Sequence, residues 1–510
     1  MNSILLNKHL LHRAGFGVDL KDISRIKNSS PQEIWKELLK KSEKYSPIKI
    51  NLEDFSAYKP KEANAEMKKF FQKKNKEENA EIILNWYQNM ISGEAQLREK
   101  MTFFWTGIFA TRNVVSRFNL QLLNIIKENA LGSFGDLLLA VSQSPSMLQF
   151  LNNQQNKKDH PNENFAREVM ELFTMGRGNY TEKDIKEAAR AFTGWSFTPE
   201  GNFIMRPRLH DFGNKTFLGK TGNFDGTEIL KIILEQKATA KYIAKRIYQF
   251  FVNEKTDENL VNELAEKFYQ SNYDIKTILN EIFTSKWFFD EKNIGTKIKS
   301  PIELMVGIQK ILPITIENPK TLIIYQKLLG QMLLNPPNVA GWPSGKAWID
   351  SSTLMLRLKT PQIWSGIISL DYAPKDDDDQ NMGMMQKMLP KNLQGNFKID
   401  WESVSKNLKN ESLEDILAKK IVYRKDQNKS RDIIDLGVAL YHDALIFEKL
   451  LHSEAVSFQD LCDLHDALVR LDMQRYLNEI DLVEPIEFYR DVAKNAPMSL
   501  RLALENYQTN

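Results

Sequence analysis

The stretch "NENFAREVMELF", residues 162–173, holds three carboxylates, Glu163, Glu168 and Glu171, beside Arg167. Glu168 and Glu171 are three residues apart, so on a helix they face the same way. Glu187 and Arg190 follow, and then the adjacent pair His210 and Asp211. A glutamate pair at that spacing, joined by His-Asp from a loop, has the donor atoms for an oxygen-rich divalent metal site or for an acid–base pair. In that reading Glu168 or Glu171 is the base or a metal ligand, and His210 is the acid or a ligand. Glu187 and Asp211 complete the carboxylate set, and Arg98 and Arg190 hold an anionic group. The plainer reading is a core helix with a wet face, Arg167 and Glu171 pairing at i,i+4, and His210–Asp211 a structural turn. No Glu-x-x-His element of the di-iron bundle type occurs anywhere in the chain.

Two helices must position these groups. Asp159 is a candidate cap for the first, with Pro161 in its first turn. At 100° per residue, Phe165, Val169, Met170, Leu172 and Phe173 cover one side, and Asn164, Glu168, Glu171 and Met175 the other. Gly176 and Gly178 end it, and Thr181 with Asp184 opens the next helix in the manner of a capping box. Ile185, Ala188, Ala189 and Phe192 give that second helix its apolar face. A tight antiparallel pair would bring Glu168 and Glu171 near Glu187. The loop from Gly201 to Gly226, with five glycines and no helical stripe, then delivers His210 and Asp211. Loops of that length are often functional, and its short aromatic runs predict a small β hairpin around Phe203–Phe217. Arg98, Glu99 and Lys100 precede an aromatic helix and are candidates to pair with Glu168 or Glu187 in a buried ion network.

Helical spacing dominates elsewhere. Ile82, Ile83, Trp86 and Met90 form one stripe, Ile229, Ile232 and Ile233 another, and the charged segment 62–78 reads as an exposed helix. The fold class is mainly α: a multi-helix globular array with a small hairpin and long ordered loops. A second irregular stretch, "NPPNVAGWPSGKAW", offers Trp342 and Trp348, which either stack on a sugar or ligand ring or dock onto the core. "KDDDDQ" at 375–380 marks a connector. The organisation expected is a main helical domain over 1–370, a connector over 371–400 and a C-terminal helical subdomain over 401–510.

Composition narrows the function. Lys and Arg total 69 against 66 acidic residues, a net charge of +3, which provides no global field for nucleic acid or an anionic membrane. One cysteine excludes an intrachain disulfide framework and a cysteine-rich zinc module. Cys462 with His465, and Glu448 with His452, are each two ligands short of a closed zinc site. No apolar run reaches the roughly 18 residues of a membrane span. The N-terminus lacks a continuous signal-peptide core, so the chain as written is expected in the cytoplasm, or outside it if a leader has been removed. Serine elbow, P-loop and dinucleotide fingerprint are missing.

Several blocks together resemble the bacterial family catalogued as domain of unknown function 1800. They are "HLLHRAGFG" (9–17), "LREKMTFFW" (97–105), the 162–195 region, "HDFGNKTFLG" (210–219) and "LLNPPNVAGWPSGKAW" (333–348). The resemblance implies one large, mostly helical unit and imports no activity. It also implies a partner similar to sulfatases and alkaline phosphatases, whose genes neighbour those of the family. Where relatives commonly read Phe-Trp-His-x-His-Phe, this chain reads "FWTGIF", with Thr106 and Ile108 in place of both histidines. If those histidines hold a metal in relatives, part of that site is lost here. The first function expected is therefore a binding or assembly protein acting with a partner protein or glycan. The alternative is a hydrolase-like enzyme, possibly metal-dependent, with a carboxylate and histidine cleft.

Overall fold

The computed structural model describes residues 3–53, 62–112, 114–364 and 397–400. Seventeen α-helices account for most of them, joined by 3-10 turns and small two-stranded β elements, so the chain is mainly α. The described residues divide into two compact units, one running to Ile349 and taking in residues 399–400, the other covering residues 350–364 and 397–398. In the second unit the helix Ser351–Trp364 ends on Trp364, whose ring stacks on Phe397 at 5.2 Å. The expected connector over 371–400 and C-terminal subdomain over 401–510 lie almost wholly outside the described residues, as do Glu448, His452, Cys462 and His465.

Nine helices of the first unit matter here: α1 (Ser3–Ala14), α2 (Pro31–Glu43), α3 (Ala65–Ser92), α4 (Gln96–Ile108), α5 (Ser116–Asn129), α6 (Asn164–Glu168), α7 (Glu182–Ala191), α8 (Lys237–Phe251) and α9 (Pro301–Ile311). The charged segment 62–78 and the Ile82–Met90 stripe prove to be one helix, α3. Its first turns carry exposed Met67 and Phe70, while Ile82, Ile83, Trp86 and Met90 are buried. An aromatic seam runs through the core: Trp105 stacks on Phe134 at 5.5 Å, and Phe109 meets Phe173 edge-on at 5.4 Å. That second contact fixes the carboxylate helix against α4. Offset and edge-on pairs of this kind add about 1 kcal/mol each beyond their burial.

The Gly201–Gly226 region forms two hairpins rather than one. Strand β1 (Trp195–Phe197) pairs antiparallel with β2 (Phe203–Met205), and β3 (Lys215–Phe217) with β4 (Lys220–Gly222). The expected ends, Phe203 and Phe217, belong to different hairpins. Between them runs a connection through a 3-10 turn, Pro207–Leu209, that carries His210 and Asp211.

Candidate functional site

Helix α6 starts at Asn164, with Glu163 as cap, so Asp159 and Pro161 precede it rather than open it. After Glu168 the backbone widens into a π-helical segment, Val169–Thr174. There the amides of Met175 and Gly176 both donate to Met170 O, at 2.9 and 3.0 Å, and Thr174 Oγ1 donates to Val169 O. A π turn displaces later residues from the 100° wheel. Met175, expected on the polar face, is buried, and Phe165, Val169, Met170 and Phe173 are buried as expected. The helix pair is joined by Phe165 against Phe192 at 4.9 Å. Gly176 and Gly178 take φ of +74° and +86° in the link. The Thr181–Asp184 capping box of α7 is present in full.

The carboxylates do not converge. Glu171 pairs with Arg177 (Nε–Oε1 2.5 Å) and accepts from Tyr180 Oη at 3.2 Å, not from Arg167. Arg167 instead bridges Glu163 and Glu182. Glu168 is half-buried and forms no ion pair among the described residues. Burial, then the nearby charge of Glu171, push its carboxyl above the ordinary glutamate range. Glu187 lies in a separate network. Arg190 Nη1 donates to its carboxylate at 2.9 and 3.1 Å and to Asn214 O at 3.2 Å, while Arg190 Nε donates to Asp211 Oδ2 at 2.7 Å. The hydrogen bond from Arg190, opposed in part by burial, holds the Asp211 carboxyl below its ordinary value.

This second network is a fastening. Glu187 Oε2 also accepts the Thr216 amide at 3.0 Å, and Asp184 Oδ1 accepts the Leu218 amide at 2.9 Å, so α7 holds β3 and the turn after it by side chains. Asp211 accepts the Gly213 amide, and its own amide donates to Thr193 Oγ1, both at 2.8 Å. His210 is 3% exposed, with Nδ1 2.8 Å from Thr193 O. That geometry assigns the Nδ1 proton to a structural bond. Gly194 makes the approach possible: its φ is +80°, and a Cβ there would lie 2.7 Å from Arg206 O and 3.3 Å from the His210 Cβ. The loop thus held presents exposed side chains that include Met205, Arg206, Arg208 and Phe212. Phe212 stands edge-on to His210 at 4.7 Å and is 57% exposed. Neither Arg206 nor Arg208 makes a side-chain hydrogen bond or ion pair among the described residues. Residues Met205–Leu209 line a shallow recess.

Arg98 belongs to neither network. Its guanidinium donates to the carbonyls of Ser42, Glu43, Lys127 and Glu128, at 2.8–3.2 Å, at the C-terminal ends of α2 and α5. A guanidinium capping two helix ends spends four of its five N–H donors on the protein's own carbonyls. The expected pairing of Glu99 and Lys100 with Glu168 or Glu187 is likewise replaced. Glu99 meets Lys127 at 2.6 Å, and Lys100 meets Glu303 at 2.5 Å. Trp348 is buried, so it offers no face to a ring ligand. Trp342 is half-buried in a small cleft with Thr106, Phe109, Thr111, Leu334 and Pro336. In that cleft Thr106 Oγ1 donates back to Phe103 O at 2.9 Å, and Ile108 is buried in the core. Neither replaces a histidine as a metal ligand. Among the described residues, no three of His, Cys, Asp and Glu stand close enough to share a metal ion.

Sequence reasoning passed over the exposed tip of the loop. The signal was there, in "MRPRLHDF": two arginines with methionine and phenylalanine in eight residues. A family model described as "Protein of unknown function (DUF1800)" matches residues 9–440. No curated protein and no solved structure matches the chain.

Proposed function

The chain belongs to the DUF1800 family, and we propose that it is a binding or assembly protein that docks an anionic partner, protein or glycan, on the tip of the Met205–Phe212 loop. The observation that carries this reading is the division of labour around α7. Glu187, Arg190, Asp211 and His210 spend their polar atoms on holding the loop, and the loop holds out Met205, Arg206, Arg208 and Phe212. Methionine, arginine and aromatic residues are enriched in protein interfaces. Arginine adds bidentate recognition of carboxylate, sulfate or phosphate. Holding the loop in place before binding lowers the entropy lost on docking. A partner similar to sulfatases and phosphatases fits this reading when its docking face is acidic. The test is retention on heparin resin. The unaltered chain binds and elutes at higher salt than a variant with Arg206→Ser, Arg208→Ser and Phe212→Ser. Equal elution of the two overturns the assignment.

A second reading rests on Glu168. A half-buried carboxyl with no ion pair, raised by burial and by Glu171, has the character of a general acid in a hydrolase-like enzyme. Its test is the Glu168→Gln variant: loss of a hydrolytic activity found by substrate screening, in a folded protein, supports it.

A further inference from the structure

The loop tip does not stand alone, because the turn 157–160 runs beside it. The Lys158 amide donates to Leu209 O at 2.9 Å. Gly194 ties the two segments together a second time: its amide donates to Asn156 O at 3.0 Å, and its carbonyl accepts the Arg206 amide at 2.8 Å. The turn is closed by the His160 amide, 3.0 Å from Lys157 O. Asn156 anchors it from below. That residue is buried, its Nδ2 donates to Ala189 O on α7, and its Oδ1 accepts the Asn162 amide, both at 2.8 Å. Lys157, Lys158 and His160 are exposed, and none makes a side-chain hydrogen bond or ion pair among the described residues. With Arg206 and Arg208 they set permanent cations and an imidazole on two turns joined backbone to backbone. Asp159 is the one acid on the 157–160 turn. Positive charge is therefore in local excess on this face, although the chain as a whole is nearly balanced.

We infer that the 157–160 turn and the Met205–Phe212 loop form one surface for a polysaccharide chain bearing sulfate or carboxylate groups; this rests on the loop-tip reading and names its partner. Cations on two turns meet anions repeated along a chain, so the turn binds a second anionic group beyond the one held at the loop. Arg206 and Arg208 supply forked donors to a planar or tetrahedral oxyanion, and Lys157 and Lys158 supply point charges. Phe212, with its ring out in solvent, gives the apolar face of a sugar somewhere to lie. Both segments are tied down before any ligand arrives, which lowers the entropy lost on binding. A folded protein fits this face less well. Protein interfaces are depleted in lysine, and a stable one buries about 800 Å² on each partner, whereas the apolar side chains exposed on the loop tip are Met205 and Phe212 beside a shallow recess. Single-stranded nucleic acid fits less well too. It is bound by stacking successive bases on several aromatic rings, and these two segments carry one phenylalanine and no tyrosine or tryptophan.

The experiment titrates a heparin-derived octasaccharide into the full chain, the Lys157→Ser, Lys158→Ser variant and the Arg206→Ser, Arg208→Ser, Phe212→Ser variant. The two lysine side chains are exposed and unbonded, and serine keeps the Lys158 amide that binds Leu209 O, so the turn variant folds as the parent does. Losing two exposed ion pairs together should weaken its binding about tenfold, with a shallower dependence on salt. Parental affinity in the turn variant overturns the inference; if the loop-tip variant loses affinity in the same series, the loop-tip reading survives that failure. An octasaccharide that does not bind the parent, or binds the loop-tip variant as well as the parent, overturns both. Polyglutamate and oligothymidylate carrying the same number of charges should bind the parent more weakly than the octasaccharide. Tighter binding of either overturns the choice of a polysaccharide, polyglutamate in favour of an acidic protein and oligothymidylate in favour of nucleic acid.

Discussion

Arg98 shows how a single residue's role depends on what surrounds it. An arginine ahead of an aromatic helix reads equally as an anion ligand and as a strut. Only the fold brings the carbonyls of Ser42, Glu43, Lys127 and Glu128 to it. Removing one partner of a buried charged network costs roughly 3 kcal/mol. Arg98→Met should therefore lower the urea unfolding free energy by about that amount while leaving heparin retention of the folded fraction unchanged. An unfolding midpoint equal to that of the parent protein would show the caps to be dispensable. His9 carries a second prediction. Burial first, then Arg13, lower its imidazole to about 3, and the ring sits 3.2 Å from Phe288 O. The unfolded chain takes up that proton near 6.5, the folded chain only near 3. Stability from this group is full above pH 6.5 and drains away as the pH falls toward 3. His12, held well below its ordinary value by burial and surrounding lysines, adds in the same direction. The His9 shift alone is worth a few kcal/mol. Unfolding curves between pH 7.5 and 4.5 should show a loss that a His9→Phe variant reduces.

At the scale of elements, much was legible. The 3.6-residue stripe located the apolar face of α6, the Thr181–Asp184 spacing announced the start of α7, and the glycines marked the link between the two helices. The π segment was not legible, because a helical wheel assumes the α step. For that reason Met175 was expected on the wrong face and Arg167 beside the wrong carboxylate. The two hairpins were read as one because side-chain bonds from α7 to Thr216 and Leu218 are long-range facts with no local signature. Asp211→Asn tests the fastening. It weakens the Arg190 ion pair without changing shape, so the amides of residues 213–218 should exchange faster with deuterium while those of α6 stay protected. Unchanged exchange in the loop would mean that Asp211 does not hold it. Thr181→Ala removes the cap that accepts from Asp184 N and should cost about 1 kcal/mol in chemical denaturation.

For the whole molecule, the mainly α class and the two-sided patterning of its helices followed from periodicity alone. Which distant groups meet did not: Lys100 and Glu303 are 203 positions apart, and nothing local to either names the other. The near-balance of charge, +3 over the chain, also concealed an uneven placement. Acidic side chains around α7 are consumed in fastening, whereas Arg206 and Arg208 stand exposed. The central claim is that the polar face is scaffold and the loop tip is the binding surface. The most direct test is a calorimetric titration with heparin of three folded proteins: the parent, the Arg206→Ser, Arg208→Ser, Phe212→Ser variant, and Glu168→Gln. At least a tenfold loss of affinity is expected in the loop-tip variant, and parental affinity in Glu168→Gln. Loss in Glu168→Gln with parental affinity in the loop-tip variant would contradict it and return the function to the carboxylate helix.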